Sequence, residues 1–219
     1  MDDQNAMSWI PSGGISINSI TVAQNDEPST KIIDACMSTN EITIEAWVKP
    51  GSDDQGGPAR IVTCSIDGSN RNFTFAQDNA KPANGYQIRL RTTATNANGS
   101  DPRIEAANTL TMGEISKLAY TRNEAGEAIF YVNGEQRDSK AIPGDFSNWV
   151  PDHQMAIGHE INMEGERSWL GEIYLIAIYN VALTQDEIQD EARQENLLGR
   201  PVEPQGKLPV TWAEIKSLR

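Results

Sequence analysis

The sequence predicts an all-β fold: a two-sheet antiparallel sandwich of the jelly-roll kind with one or two short helices. Three observations carry that expectation. Apolar and polar residues alternate with period two in stretch after stretch, the pattern of a strand with two different faces. Gly, Asn and Pro fall between the stretches. Roughly ten such stretches share 219 residues, a length that suits one large β domain.

The stretches follow in order. Gly14 to Val22 (GISINSITV) alternates. In EITIEAWVKP, Ile42, Ile44, Ala46 and Val48 share one side and Thr43, Glu45 and Trp47 the other. ARIVTCSI (Ala59 to Ile66) is rich in β-branched residues and ends at the turn Asp67-Gly68-Ser69-Asn70. Asn72 to Gln77 (NFTFAQ) and Gly85 to Thr93 (GYQIRLRTT) come next. SKLAYTRN and EAIFYVNGEQ form a hairpin across Glu124-Ala125-Gly126, and Asn133-Gly134 is a type I′ turn signal. QMAIGHE (Gln154 to Glu160) and WLGEIYLIAIYN (Trp169 to Asn180) complete the set.

Helices are few. STKIIDACMST suits a short one. A second starts at Thr184, where TQDE makes a capping box with Glu187, and is expected to run to about Leu198 and stop at Gly199. The jelly-roll domain is therefore drawn at 1–199. Residues 200–210, rich in Pro and Gly, read as a linker. Residues 211–219 repeat the capping-box pattern with Thr211 and Glu214, and Trp212, Ile215 and Leu218 line one side of a short helical tail. A helix that short needs a surface to dock on.

Charge narrows the partners. A net charge of -13 argues against nucleic acid and against an anionic membrane surface, and no apolar run is long enough for membrane insertion. The N-terminal stretch has no apolar core of the kind a signal peptide needs. Yet from Arg60 to Arg103 six basic residues face three acidic ones, a net +3, which leaves -16 for the remainder. Two cysteines, Cys36 and Cys64, are too few for a disulfide scaffold and fit no zinc spacing. They form a pair or two buried thiols.

The strand at Gly85 to Thr93 poses the central question. Tyr86, Ile88, Leu90 and Thr92 share one side; Gln87, Arg89, Arg91 and Thr93 share the other. A solvent face needs only to be polar, and this one carries two arginines.

Four stretches taken together are familiar: ITIEAWVKP, ARIVTCSIDG, LAYTRNEAGEAIFYVNG and LGEIYLIAIYNVALTQDEI. In content and order they resemble the LamG-like, concanavalin A-like lectin/glucanase domain family, the laminin G type 3 group. The resemblance covers roughly Gly13 to Gly199. The strings PARIVTCS, RNFTFAQ, YQIRLRTT and RSWLGEIYLIAIYN are similar to a branch found in large bacterial surface and exported proteins. The resemblance implies a jelly roll with one concave sheet, an extracellular or cell-surface location, and attachment to other domains of a larger protein. It implies lectin-like binding of glycans or of other proteins more than catalysis, and a structural calcium in many members. Where many members carry Asp-Glu, this chain has Tyr174-Leu175. No DxDxDG loop is present, and the oxygen-rich stretches Ser52 to Asp54 and Ser65 to Asn70 are of a kind that usually makes ordinary turns.

Catalysis is not expected. Glycoside hydrolases of this fold set two carboxylates on one strand, and no E-x-D-x-E string occurs. Arg89 stands where related lyases carry a strand histidine, and the histidines are only His153 and His159. Sugar binding needs planar polar groups for hydroxyls and an aromatic face for C–H groups. Arg71, Asn72, Gln77, Gln87, Arg89 and Arg91 offer the first, and His159, Glu160, Arg167 and Trp169 come from a neighbouring strand start. The expected ligand is an acidic or hydroxyl-rich glycan or polysaccharide. The competing arrangements are Arg89 or Arg91 paired with Glu45 or Glu160 across the sheet, and Trp169 in the core. A third alternative is a protein–protein adhesion or spacer domain with the Trp212 tail as docking segment.

Overall fold

The structure, a computed structural model, describes residues 6–11, 13–78, 80 and 82–190. The expected linker and tail, and the expected helical residues 191–199, lie outside them. Along the chain run β1 (Met7–Trp9), β2 (Ile15–Ile17), β3 (Ala23–Gln24), α1 (Thr30–Thr39), β4 (Ile42–Pro50), β5 (Ala59–Ser65), β6 (Arg71–Gln77) and β7 (Tyr86–Leu90). Then come β8 (Ile104–Ala106), β9 (Ser116–Arg122), β10 (Glu127–Val132), β11 (Glu135–Ala141), β12 (Gln154–Ile157), β13 (Gly171–Tyr179) and α2 (Gln185–Gln189).

The strands form two antiparallel sheets. One has the order β1-β2-β13-β4-β9-β10-β11, the other β3-β12-β5-β6-β7-β8. The inner faces meet in one apolar layer. Ile42, Ile44, Ala46 and Val48 of β4 pack there, as their alternation requires, with Phe73 and Phe75 of β6, Ile88 and Leu90 of β7 and Phe130 of β10. Phe75 and Phe130 meet across the sandwich with ring centroids 5.2 Å apart. The turn expected at Asn133-Gly134 has both residues at positive φ, 53° and 78°, and joins β10 to β11.

α1 buries Ile32, Ile33 and Cys36 and ends at Asn40, whose left-handed backbone returns an N–H to the Cys36 carbonyl at 2.8 Å. α2 begins on the capping box read from the sequence: Thr184 accepts from the Glu187 N–H and the Glu187 carboxylate accepts from the Thr184 N–H at 2.9 Å. It is shorter than expected. Asp190 is already extended, so the first helical run closes at Gln189.

α2 covers part of the outer face of the seven-stranded sheet. Leu183 and Ile188 pack on Trp47, Tyr131, Leu175 and Tyr179. This explains why Trp47, on the polar side of its strand by alternation, is buried. It also accounts for Tyr174-Leu175: the register of β13 on β4 shifts between Ile173 and Leu175, which turns Leu175 toward Trp47. The Tyr174 hydroxyl donates to Glu172.

Both cysteines are free, buried thiols. Burial pushes the Cys36 thiol up to about 12 and raises Cys64 further, so neither is ionised at neutral pH.

Candidate functional site

The outer face of the six-stranded sheet is polar and is built in rows. Register places Gln154, Ser65 and Arg71 side by side; next come Ala156, Thr63, Thr74 and Arg89; then Arg60, Ala76, Gln87 and Glu105. β5 changes phase at two bulges, between Arg60 and Val62 and between Cys64 and Ser65. The first keeps both Arg60 and Thr63 on this face although they are three residues apart.

A solvent face would expose these groups. Here Arg60, Thr63, Ser65, Arg71, Thr74, Gln87 and Glu160 are all 0% exposed, and they form a packed polar layer. The connection from β12 to β13 supplies part of it. Glu160 pairs with Arg60 (Nε to Oε2, 3.0 Å) and accepts from the Ser65 hydroxyl. Glu164 accepts from the Gly68 N–H at 2.7 Å. A Cβ on Gly68 would lie 2.7 Å from the Arg167 Cζ, so the missing side chain admits that guanidinium. The Arg167 carbonyl receives the Arg60 N–H at 3.0 Å and pins the connection to β5.

Arg71 donates from Nη1 to the Thr74 hydroxyl at 3.2 Å and from Nη2 to the Gly68 carbonyl. Arg89 donates from Nε to Gln87 Oε1 at 3.1 Å and from Nη1 to Asn98 Oδ1 at 3.0 Å. Burial, and then the cations Arg71, Arg103 and Arg167, pull Arg89 down to about 10. Burial first, then Arg71, bring Arg60 down to about 9, opposed by Glu160. Both remain charged at neutral pH.

The structure thus brings Arg71, Gln87, Arg89, Glu160 and Arg167 together. The other five candidates have different roles. Gln77 lies on the inner side of β6, where it accepts from Trp169 Nε1 at 3.2 Å and donates to the Ser52 carbonyl at 2.9 Å. Trp169 is 0% exposed and belongs to the core. Asn72 grips the Val150 backbone through both its amide groups, at 2.9 and 3.0 Å. Arg91 lies beyond the end of β7, and its carbonyl accepts from Trp149 Nε1 at 2.7 Å. His159 is buried, and its Nδ1 accepts from the Glu160 N–H at 2.8 Å; desolvation lowers its pKa. The cross-sheet pairings expected for Arg89 and Arg91 are not made: Glu160 takes Arg60, and Glu45 lies in the other sheet. Reading the sequence missed Arg60, Thr63, Ser65 and Thr74. Only the alternation of ARIVTCS could have revealed them, and the bulges interrupt it.

Among the oxygen donors considered for calcium, several serve their own turns. Asp67 accepts from the N–H groups of Ser69 and Asn70 and from Asn70 Nδ2, the Ser52 hydroxyl caps the Asp54 N–H, and no cluster of three or more ligating side chains forms among the described residues.

No curated protein sequence matches the chain. Among solved structures it resembles the CBM40 of the Ruminococcus gnavus IT-sialidase bound to α2,3-sialyllactose (TM-score 0.59, 16% identity, 84% of this chain and 96% of that one). It also resembles the native heptameric SAP-like pentraxin from Limulus polyphemus (0.56, 16%, 74% and 74%). A third is domain 4 of an extracellular arabinanase from Geobacillus stearothermophilus in complex with arabinotriose (0.50, 19%, 81% and 75%). At these identities the likeness is one of fold. Residues 24–189 match the family model directly, and the chain therefore belongs to the concanavalin A-like lectin/glucanases superfamily, in its laminin G type 3 group.

Proposed function

We propose that the chain is a non-catalytic carbohydrate-binding module of an exported or cell-surface bacterial protein, and that it holds its glycan against the outer face of the six-stranded sheet. The observation that carries this is the row-built polar layer. Planar guanidinium, amide and hydroxyl groups lie side by side on rigid strands, fixed by one another, and this buried layer preorganises the polar side chains at its margin for sugar hydroxyls. Arg89, Arg103, Glu105 and Arg167 are its partly exposed members and form the contact rim. The face offers no aromatic platform among the described residues, so hydrogen bonding rather than stacking would dominate. The solved structures of similar fold that hold sialyllactose and arabinotriose lend support. The exported location rests on the similarity of its strand motifs to those of bacterial surface proteins.

The use of the carboxylates supports the non-catalytic reading. Glu160 is committed to Arg60 and Ser65, and Glu105 to Arg103. Neither is left as a free acid or nucleophile.

A glycan array of the purified domain, run with calcium and again with chelator, tests the reading. The expected result is binding to a defined glycan class in both conditions, weakened in Arg89→Ala on the order of 10-fold or more. A blank array in both would overturn it in favour of a protein-contact or spacer domain.

A further inference from the structure

Buried arginines in this protein come in two kinds. Arg122 is fully satisfied: Nε donates to the Ile142 carbonyl at 3.1 Å, Nη1 to the Asn40 carbonyl at 2.7 Å, and Nη2 to the Gly144 carbonyl. It also lies 4.8 Å from the Phe146 ring centre. That is a structural arginine. On the outer face of the six-stranded sheet, by contrast, Arg71 Nε and Arg60 Nη2 are buried without any hydrogen-bond partner, in residues that are 0% exposed. Orphaned donors of this kind are costly in a finished structure and call for an explanation.

Charge is unbalanced at the same place. Each acid around the face is already engaged: Glu160 by Arg60, Glu105 by Arg103, Glu164 by the Gly68 N–H, and Asp67 within its own turn. Arg71, Arg89 and Arg167 reach only neutral acceptors: Thr74 and the Gly68 carbonyl, Gln87 and Asn98, and the Glu164 carbonyl. Register puts Arg89 beside Thr74, on which Arg71 leans, and Gly68 lies against both the Arg71 and Arg167 guanidiniums. Around the face five guanidiniums (Arg60, Arg71, Arg89, Arg103, Arg167) meet four carboxylates (Asp67, Glu105, Glu160, Glu164), so three cations without a direct ion pair converge on a local excess of one positive charge, in a chain whose net charge is -13. A guanidinium does not shed its proton to relieve such crowding.

We infer that the Arg71, Arg89 and Arg167 guanidiniums hold an oxyanion, the carboxylate or sulfate of an acidic glycan, on the outer face of the six-stranded sheet. The inference rests on the carbohydrate-binding reading and names the ligand class for the same face. The guanidinium fork matches both oxyanions with paired N–H donors. Arg89 and Arg167, half-buried, form the entrance; Arg71 lies behind them. An anion held by the exposed N–H groups of Arg89 and Arg167 screens the mutual repulsion of the cations, and Arg71, wholly buried behind them, adds its charge to the site.

The test is calorimetric titration of the domain with matched probes: an oligohexuronate and its carboxyl-reduced counterpart, a sulfated oligosaccharide and its desulfated counterpart, and inorganic sulfate alone. Each acidic sugar that binds is expected to do so on the order of 10-fold or more tighter than its neutral counterpart, and the pair that discriminates tells carboxylate from sulfate. Arg89→Gln should abolish the discrimination. Arg167→Ala, in a connection away from the strands, should reduce it with the fold intact. Equal binding of acidic and neutral members would overturn the oxyanion and leave the carbohydrate reading standing. Binding of inorganic sulfate but of no sugar would keep the anion site and overturn the carbohydrate reading. Discrimination unchanged in both variants, or no binding by any acidic probe, overturns the inference.

Discussion

Arg60 and Glu160 meet 3.0 Å apart with neither side chain exposed. Such a pair contributes little net stability compared with an apolar pair, because desolvation of both ions offsets their attraction. Removing one member is another matter, since the survivor is left buried and charged. Glu160→Ala should destabilise the domain by about 3–5 kcal/mol in urea denaturation, while a double replacement by Met and Leu should cost far less. A loss under about 1 kcal/mol in the single variant would mean that the pair is hydrated and open. At this scale the sequence was half legible. It marked Arg71, Gln87, Arg89, Glu160 and Arg167, whose residue types advertise planar hydrogen bonding. It hid Arg60, because an unbroken period would put it on the opposite face from Thr63 and Ser65, and only the bulge after it brings them together. Asn72 and Gln77 look the same as Gln87 in a sequence, and only their position at the irregular start and inner side of β6 gives them to the scaffold.

Among the elements, those with a long apolar period were legible and those of three residues were not. β4, β5, β6, β9, β10 and β13 lie where the sequence pattern put them. β8 is Ile104–Ala106, too short to show any period. β11 (Glu135–Ala141) is an edge strand with nearly every residue exposed and four charged side chains, so it has no apolar face to find. Those charges guard the unpaired edge against strand addition. Of the expected strand from Gly14 to Val22 only β2 (Ile15–Ile17) forms, with β3 (Ala23–Gln24) starting just after it, and the β7 strand stops at Leu90, three residues early. α2 was read correctly at its start because a capping box is a local signal. Thr184→Ala removes that box and should cost about 1 kcal/mol by chemical denaturation, with Leu183 and Ile188 loosened from the seven-stranded sheet. An unchanged midpoint would show that burial of Ile188 alone seats the helix.

For the molecule as a whole, the two sheets have divided the work. The seven-stranded sheet has both faces apolar over much of its width, the inner on the core and the outer under α2. The six-stranded sheet turns its second face to polar groups, and three of the six basic residues from Arg60 to Arg103, namely Arg60, Arg71 and Arg89, lie in its strands. That is the answer to the paired arginines of β7 and its following turn. Arg89 belongs to the polar layer, and Arg91 lies past the strand beside the Trp149 indole. The proposed ligand site lies on that polar face. The measurement that tests it most directly is a crystal structure of the domain with the glycan that binds best on the array. The account predicts the sugar over β6 and β7, with polar contacts to Arg89 and Arg167. A sugar seated on the seven-stranded sheet, or on loops with Arg89 and Arg167 untouched, would contradict it.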